Sequence, residues 1–169
     1  MSTNQEVMRG ADGLFLAARI CDLTCYYYVN QESEANFLAF QEWADTLPSK
    51  CPRGTGTLVW VDAIAALHPP PESVRKRYGA LATRNAVRQF ARASIVQATG
   101  FSGATIRAVL TSLNRFQRLS IPQHVTEDPR QGIRWLISHM PADPTRCSVE
   151  DAYQFFQATL DEYRRVHSG

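Results

Sequence analysis

Asp62 interrupts an apolar run at residues 57–64 (TLVWVDAI) that reads as a central strand covered on both faces. A carboxylate near the carboxyl end of such a strand stands where open α/β sheets gather ligands and reactive groups. It could bind a ligand or act as a base. The plainer account is that it accepts from neighbouring amides or an arginine, since a buried carboxylate must be paired. A second candidate is Gly100-Phe101-Ser102-Gly103-Ala104-Thr105, which joins a predicted strand to a predicted helix. Its glycines allow a tight turn, and free amides at the helix start could hold a phosphate or carboxylate, with Arg107 one turn later. The segment lacks the Lys-Ser/Thr of a P-loop and the third glycine of a dinucleotide loop. A turn with a helix cap is therefore the simpler reading, and Asp62, Ser102, Gly103 and Arg107 together define the alternative of a small-molecule or anion receptor.

The histidines, His68, His124, His139 and His167, are scattered and form no H-x-x-x-H or H-E-x-x-H arrangement, so no metal site is expected. His139, at a helix end, suits the negative end of the helix dipole. An enzyme built around Asp62 and His68 is the weakest reading, because no nucleophile, base and orienting acid come together. Cys21, Cys25, Cys51 and Cys147 match neither zinc-pair nor disulfide-framework spacing. They read as buried free thiols, with a Cys21–Cys25 redox pair as the minor alternative. The sequence implies no catalytic residue and no cofactor.

Charge is the most informative global property. Residues 1–72 carry four basic and nine acidic side chains, whereas residues 73–126 carry nine basic ones and no Asp or Glu. Sixteen of the eighteen basic residues are Arg, which suits forked contacts to carboxylate or phosphate. Arg77, Arg84 and Arg88 fall on one side of a predicted helix, and Arg115 and Arg118 share a face of the next. Such a stripe can meet an acidic protein surface or a phosphate backbone. The net charge of +2, the scarcity of lysine and the lack of a recognisable motif argue against nucleic acid. An acidic protein partner, or a second copy of the chain, is the better expectation.

The elements follow from hydrophobic period and turn chemistry. Residues 14–20 and 25–29 read as strands joined by a hairpin through Asp22-Leu23-Thr24. Phe37, Phe40, Trp43, Ala44 and Leu47 recur at helical spacing, with Pro48 as the expected stop. After Pro69-Pro70-Pro71, a helix runs from Ser73 to about Phe90, followed by a strand at 93–98. A helix at 105–119, a short edge-like strand at 120–125 and a helix at 129–139 come next. A last helix, at about 148–166, carries Tyr153, Phe156, Leu160 and Tyr163 as an apolar stripe, with docking on its own sheet as the default. The order β-β-α-β-α-β-α-β-α-α predicts an α/β fold with a mixed, mainly parallel sheet, an N-terminal hairpin at one edge and covering helices.

That order, with Leu58-Val59-Trp60-Val61-Asp62 after the first helix, resembles the STAS, or SpoIIAA-like, fold of bacterial anti-sigma-factor antagonists. Residues 77–88 (RYGALATRNAVR) followed by Ala93-Ser94-Ile95-Val96 look like the helix and third strand of that family. Ile133-Arg134-Trp135-Leu136 looks like its last core helix. The resemblance covers residues 14–140 of a single domain spanning 1–169, with 147–167 as a C-terminal helical extension. It implies a non-enzymatic signalling regulator that binds another protein, with a homodimer as a further option. Antagonists of the family carry a phosphorylated serine in an Asp-Ser-Ser-Gly-Leu type turn. Here the place reads His68-Pro69-Pro70-Pro71-Glu72-Ser73, and Glu72 would oppose a phosphate dianion. Ser73 is therefore read as a helix cap, with phospho-switching as the alternative.

The expected contact surface is the acid-free helix bearing Arg77, Arg84 and Arg88, with Ser73 beside it. No apolar run approaches the roughly 20 residues of a membrane helix. The leading MSTNQEVMRG lacks the apolar core of a secretion signal, so a cytoplasmic location is expected.

Overall fold

Six strands lie side by side in the order in which the chain makes them. They are β1 (Gln5–Arg9), β2 (Leu16–Ile20), β3 (Leu23–Tyr28), β4 (Thr55–Val61), β5 (Gln89–Val96) and β6 (Gln123–Thr126). The computed structural model describes residues 4–10, 16–28, 34–61, 72–97, 103–105 and 120–167. β1, β2 and β3 pair antiparallel, and β3 through β6 pair parallel. Helix α1 (Glu34–Lys50) lies between β3 and β4, α2 (Glu72–Ala86) between β4 and β5, and α3 (Pro129–Ser138) and α4 (Val149–His167) follow β6. The chain is an α/β protein with a mixed sheet, as its pattern predicts.

Side chains alternate across each strand, and both faces are covered. Leu16, Ala18 and Ile20 of β2, Cys25 and Tyr27 of β3, Leu58 and Trp60 of β4, and Ala93 and Ile95 of β5 pack with Ile133 and Leu136 of α3 and Phe156 and Leu160 of α4. Their neighbours on the opposite face, Ala17 and Tyr26, pack with Phe37, Phe40, Trp43 and Leu47 of α1 and Leu81 of α2. Each fully buried large side chain contributes about 1.5–3 kcal/mol, so two helical layers rather than one stabilise the sheet. The C-terminal stripe docks as its default reading required. Tyr27 donates its hydroxyl to the Phe156 carbonyl at 2.8 Å, and Ser148 and Asp151 cap the start of α4 reciprocally.

Several expectations need correction. β1 was not anticipated, and it takes the edge assigned to the hairpin, which becomes an inner pair. The hairpin turn is Cys21-Asp22, one step earlier than expected, because Leu23 and Thr24 already pair with Ile20 and Arg19. Cys21 adopts φ 55°, the left-handed conformation that two-residue hairpin turns require. Helix α1 does not stop at Pro48 but continues to Lys50. Only one intrahelical donor is lost there, and the Cys51 amide closes the end on the Leu47 carbonyl at 2.7 Å. Phe90 belongs to β5 rather than to the preceding helix. The Thr55 amide bonds to the Arg88 carbonyl at 2.9 Å, which draws the chain into the sheet from Gln89. The residues expected at 105–119 lie outside the described part beyond Thr105.

Candidate functional site

The expected contact helix, α2, runs beside α1, and its arginines are already engaged there. Arg77 Nη1 lies 2.5 Å from Glu34 Oε1, with its guanidinium 4.5 Å from the centre of the Phe37 ring. One end of α2 is thus held by charge and by a cation–π contact. Two turns later Arg84 bonds to Asp45 of α1. Phe37, Phe40 and Tyr78 form the apolar layer beneath these pairs, with centroids 5.0 Å and 5.3 Å apart. The acidic first block and the basic second block of the sequence therefore meet inside one molecule, along the α1–α2 seam. Glu34 and Asp45 were the residues that sequence reasoning left out. Their placement opposite Arg77 and Arg84, on a helix separated by a strand, has no local signal.

Not all of the basic face is satisfied this way. Among the described residues Lys76 pairs with Glu72 on its own helix, at 2.8 Å. Arg88 is exposed and borders a shallow cleft with Ala44, Leu47, Pro48, Cys51, Gly54 and Asn85. Between Arg84 and Arg88 stands Val87, 83% exposed. Ser73 is exposed at the second position of α2 and is not its cap, because the helix already begins at Glu72.

The strand-end receptor site falls mostly outside the description. Asp62, His68, Ser102 and Arg107 are not among the described residues. Gly103 is, and it is buried within the helical turn 103–105 rather than in a loop. Among the described residues no group of His, Cys, Asp and Glu is arranged to hold a metal ion.

Of the four free thiols, Cys25 and Cys51 are buried and Cys21 and Cys147 half-buried. Burial pushes Cys25 far above the usual thiol range and raises Cys51. Cys147 is pushed up to about 12, by burial first and by its neighbour Cys21 second. A thiolate is the reactive form, so these groups stay protonated and inert near neutrality. His139 ends α3, with Nδ1 2.8 Å from the Trp135 carbonyl. Trp135 lies between two imidazoles, with centroids 5.0 Å from His124 and 4.1 Å from His139. The His124 ring is pushed below its usual value by burial and by the nearby His139.

A polar row that the sequence did not reveal crosses the sheet near the amino ends of its parallel strands. Glu6, Arg19, Thr24, Thr57, Arg92 and Gln123 are successive partners across all six strands. Arg19, only 2% exposed, reaches Glu6 Oε2 at 3.3 Å, the Cys21 carbonyl at 3.0 Å and Asn4 Oδ1 at 2.8 Å. Lys50 approaches Glu6 from α1 at 2.5 Å. The Thr24 hydroxyl bonds to that of Thr57 at 3.2 Å. Arg92 is different, because its Nε is buried and has no hydrogen-bond partner among the described residues.

Fold and surface together define a two-faced α/β domain with a mixed sheet and a charged seam between two helices on one face. No family model, curated protein or solved structure matches the chain. No helix among the described residues is long and apolar enough to cross a membrane.

Proposed function

We propose that the chain is a binding module rather than a catalyst, and that it recognises an acidic protein surface through the outer end of α2. The observation that carries this reading is Val87, which projects into solvent between Arg84 and Arg88. An apolar tip flanked by guanidinium groups is the composition of an interface centre, where Arg is enriched and a desolvated anchor supplies affinity. The Arg84–Asp45 pair beside it is half exposed, and an exposed ion pair holds by no more than about 1 kcal/mol. A partner carboxylate can therefore share or displace Asp45 at small cost. The protonated state of the buried thiols supports binding over covalent chemistry. The resemblance to SpoIIAA-like regulators, carried by the hydrophobic pattern of residues 14–140, points to the same class of activity.

The test is capture of partners from the native cell extract by the whole chain, identified by mass spectrometry. Arg84→Glu with Arg88→Glu is expected to abolish capture and leave the thermal transition within a few degrees of its original value. A charge swap, Asp45→Arg with Arg84→Asp, keeps the internal pair while inverting the surface, and it should also lose the partner. Capture that survives both variants rules out this face.

A further inference from the structure

Two arginines occupy the same cross-strand row and are treated in opposite ways. Arg19 has a carboxylate and two further acceptors. The buried Nε of Arg92 has none among the described residues, on a side chain that as a whole is half-buried, and a buried donor left unmatched is costly. The carboxylate that serves Arg19 cannot reach it. Glu6 is four strands away, about 19 Å at the usual strand spacing. The connection from β5 to β6 cannot supply one either, because residues 73–126 contain no Asp or Glu. The group that acts on Arg92 electrostatically is the Tyr26 phenol, and burial keeps that phenol neutral.

Arg92 is flanked by hydroxyl donors on one side and by the buried amide oxygen of Gln123, its β6 partner, on the other. Thr57, directly opposite on β4, accepts from Thr24 and so retains its own hydroxyl proton. Ser94, two residues along β5 on the same face, is also buried. A guanidinium with two hydroxyls beside it offers what an anionic oxygen cluster needs: a fork of N–H groups with flanking O–H donors. We propose that Arg92, with Thr57 and Ser94, anchors an oxyanion-binding site on the α1–α2 face of the sheet, taking the phosphate or carboxylate group of a small molecule. The site is separate from the α2 surface and does not depend on the protein-binding reading.

The experiment titrates the whole chain with inorganic phosphate, and separately with acetate, at constant ionic strength. Phosphorus line width and the thermal midpoint are followed for phosphate, and the thermal midpoint for acetate. A saturable response to at least one anion is expected, and the anion that produces it assigns the ligand group. Arg92→Met should abolish that response while melting no lower than the original, since an apolar stem of similar length removes the unmatched Nε donor. Arg92→Lys, which keeps the charge and loses the fork, should respond more weakly than the original. Should Arg92→Met fail to fold, Arg92→Gln carries the same comparison. No response to either anion in the unmodified chain, or an equal response in the Arg92 variants, overturns the proposal. So does an Arg92→Met chain that loses many degrees while the original is indifferent to both anions, since Arg92 would then be satisfied from within.

Discussion

Arg130 grips Glu150 through two donors, Nε at 2.9 Å and Nη2 at 3.0 Å, and lies 3.6 Å above the Tyr153 ring. Hydrogen bonding from Arg130, assisted by Gln154, holds the Glu150 carboxyl down at about 2. The folded value lies below the unfolded one, so this contribution to stability is fully present above pH 4.5. It is lost as pH falls from there toward 2. Glu150→Gln is therefore expected to flatten the dependence of the denaturation midpoint on pH between about 4.5 and 2. An unchanged slope would show that Arg130 does not hold this carboxyl. Single residues of this kind were only half legible in the sequence. The arginines of residues 73–126 announced themselves by the absence of acids around them. Their partners Glu34 and Asp45 did not, because an ion pair between consecutive helices depends on how the two pack. Arg92 fell just outside the strand expected at 93–98, and only the register across six strands shows it as part of a row.

At the scale of the element, hydrophobic period placed every described helix and all strands but one. β1 escaped because Gln5, Glu6 and Arg9 are poor strand formers. An edge strand with one solvated side needs little apolar content to pair. The boundary errors at Pro48 and Phe90 have different causes: a local bond from Cys51 to Leu47 carries α1 past the proline, whereas a long-range bond from Thr55 to Arg88 starts β5 early. Helix α2 contains a further irregularity. Gly79 sits in its middle, and a Cβ built there meets no atom of the described residues within 4 Å. No packing reason requires the glycine, and a helical glycine costs roughly 0.5–1 kcal/mol relative to alanine. Gly79→Ala should raise the unfolding free energy by about that amount in a denaturant melt. A loss of stability instead would show that α2 is crowded on this side.

Across the whole molecule, the segment between α3 and α4 is tied to the hairpin turn of the sheet by Arg146 and Asp22. Arg146 reaches both carboxylate oxygens of Asp22, at 2.8 Å and 3.0 Å, and the Pro141 carbonyl at 2.9 Å. The Arg146 side chain is only 7% exposed and that of Asp22 17%. Removing one partner of such a pair leaves an uncompensated buried charge. Asp22→Ala should therefore cost about 3 kcal/mol, measured by urea denaturation. A cost below about 1 kcal/mol would place the pair with ordinary surface contacts. No local signal announces this contact, which joins residues 124 positions apart.

The sheet's sequential order bears on how the molecule is made. Each described strand after β1 hydrogen-bonds to the described strand before it, so the sheet can lengthen one ladder at a time as the polypeptide leaves the ribosome, without waiting for distant partners. Its two sides mature at different moments. α1 and α2 emerge between strands and shield their side early, while Leu16, Ile20, Tyr27 and Trp60 on the other side stay wet until α3 and α4 arrive. A nascent chain stalled before residue 148 would display that bare apolar wall, and this late interval is where a chaperone would find it.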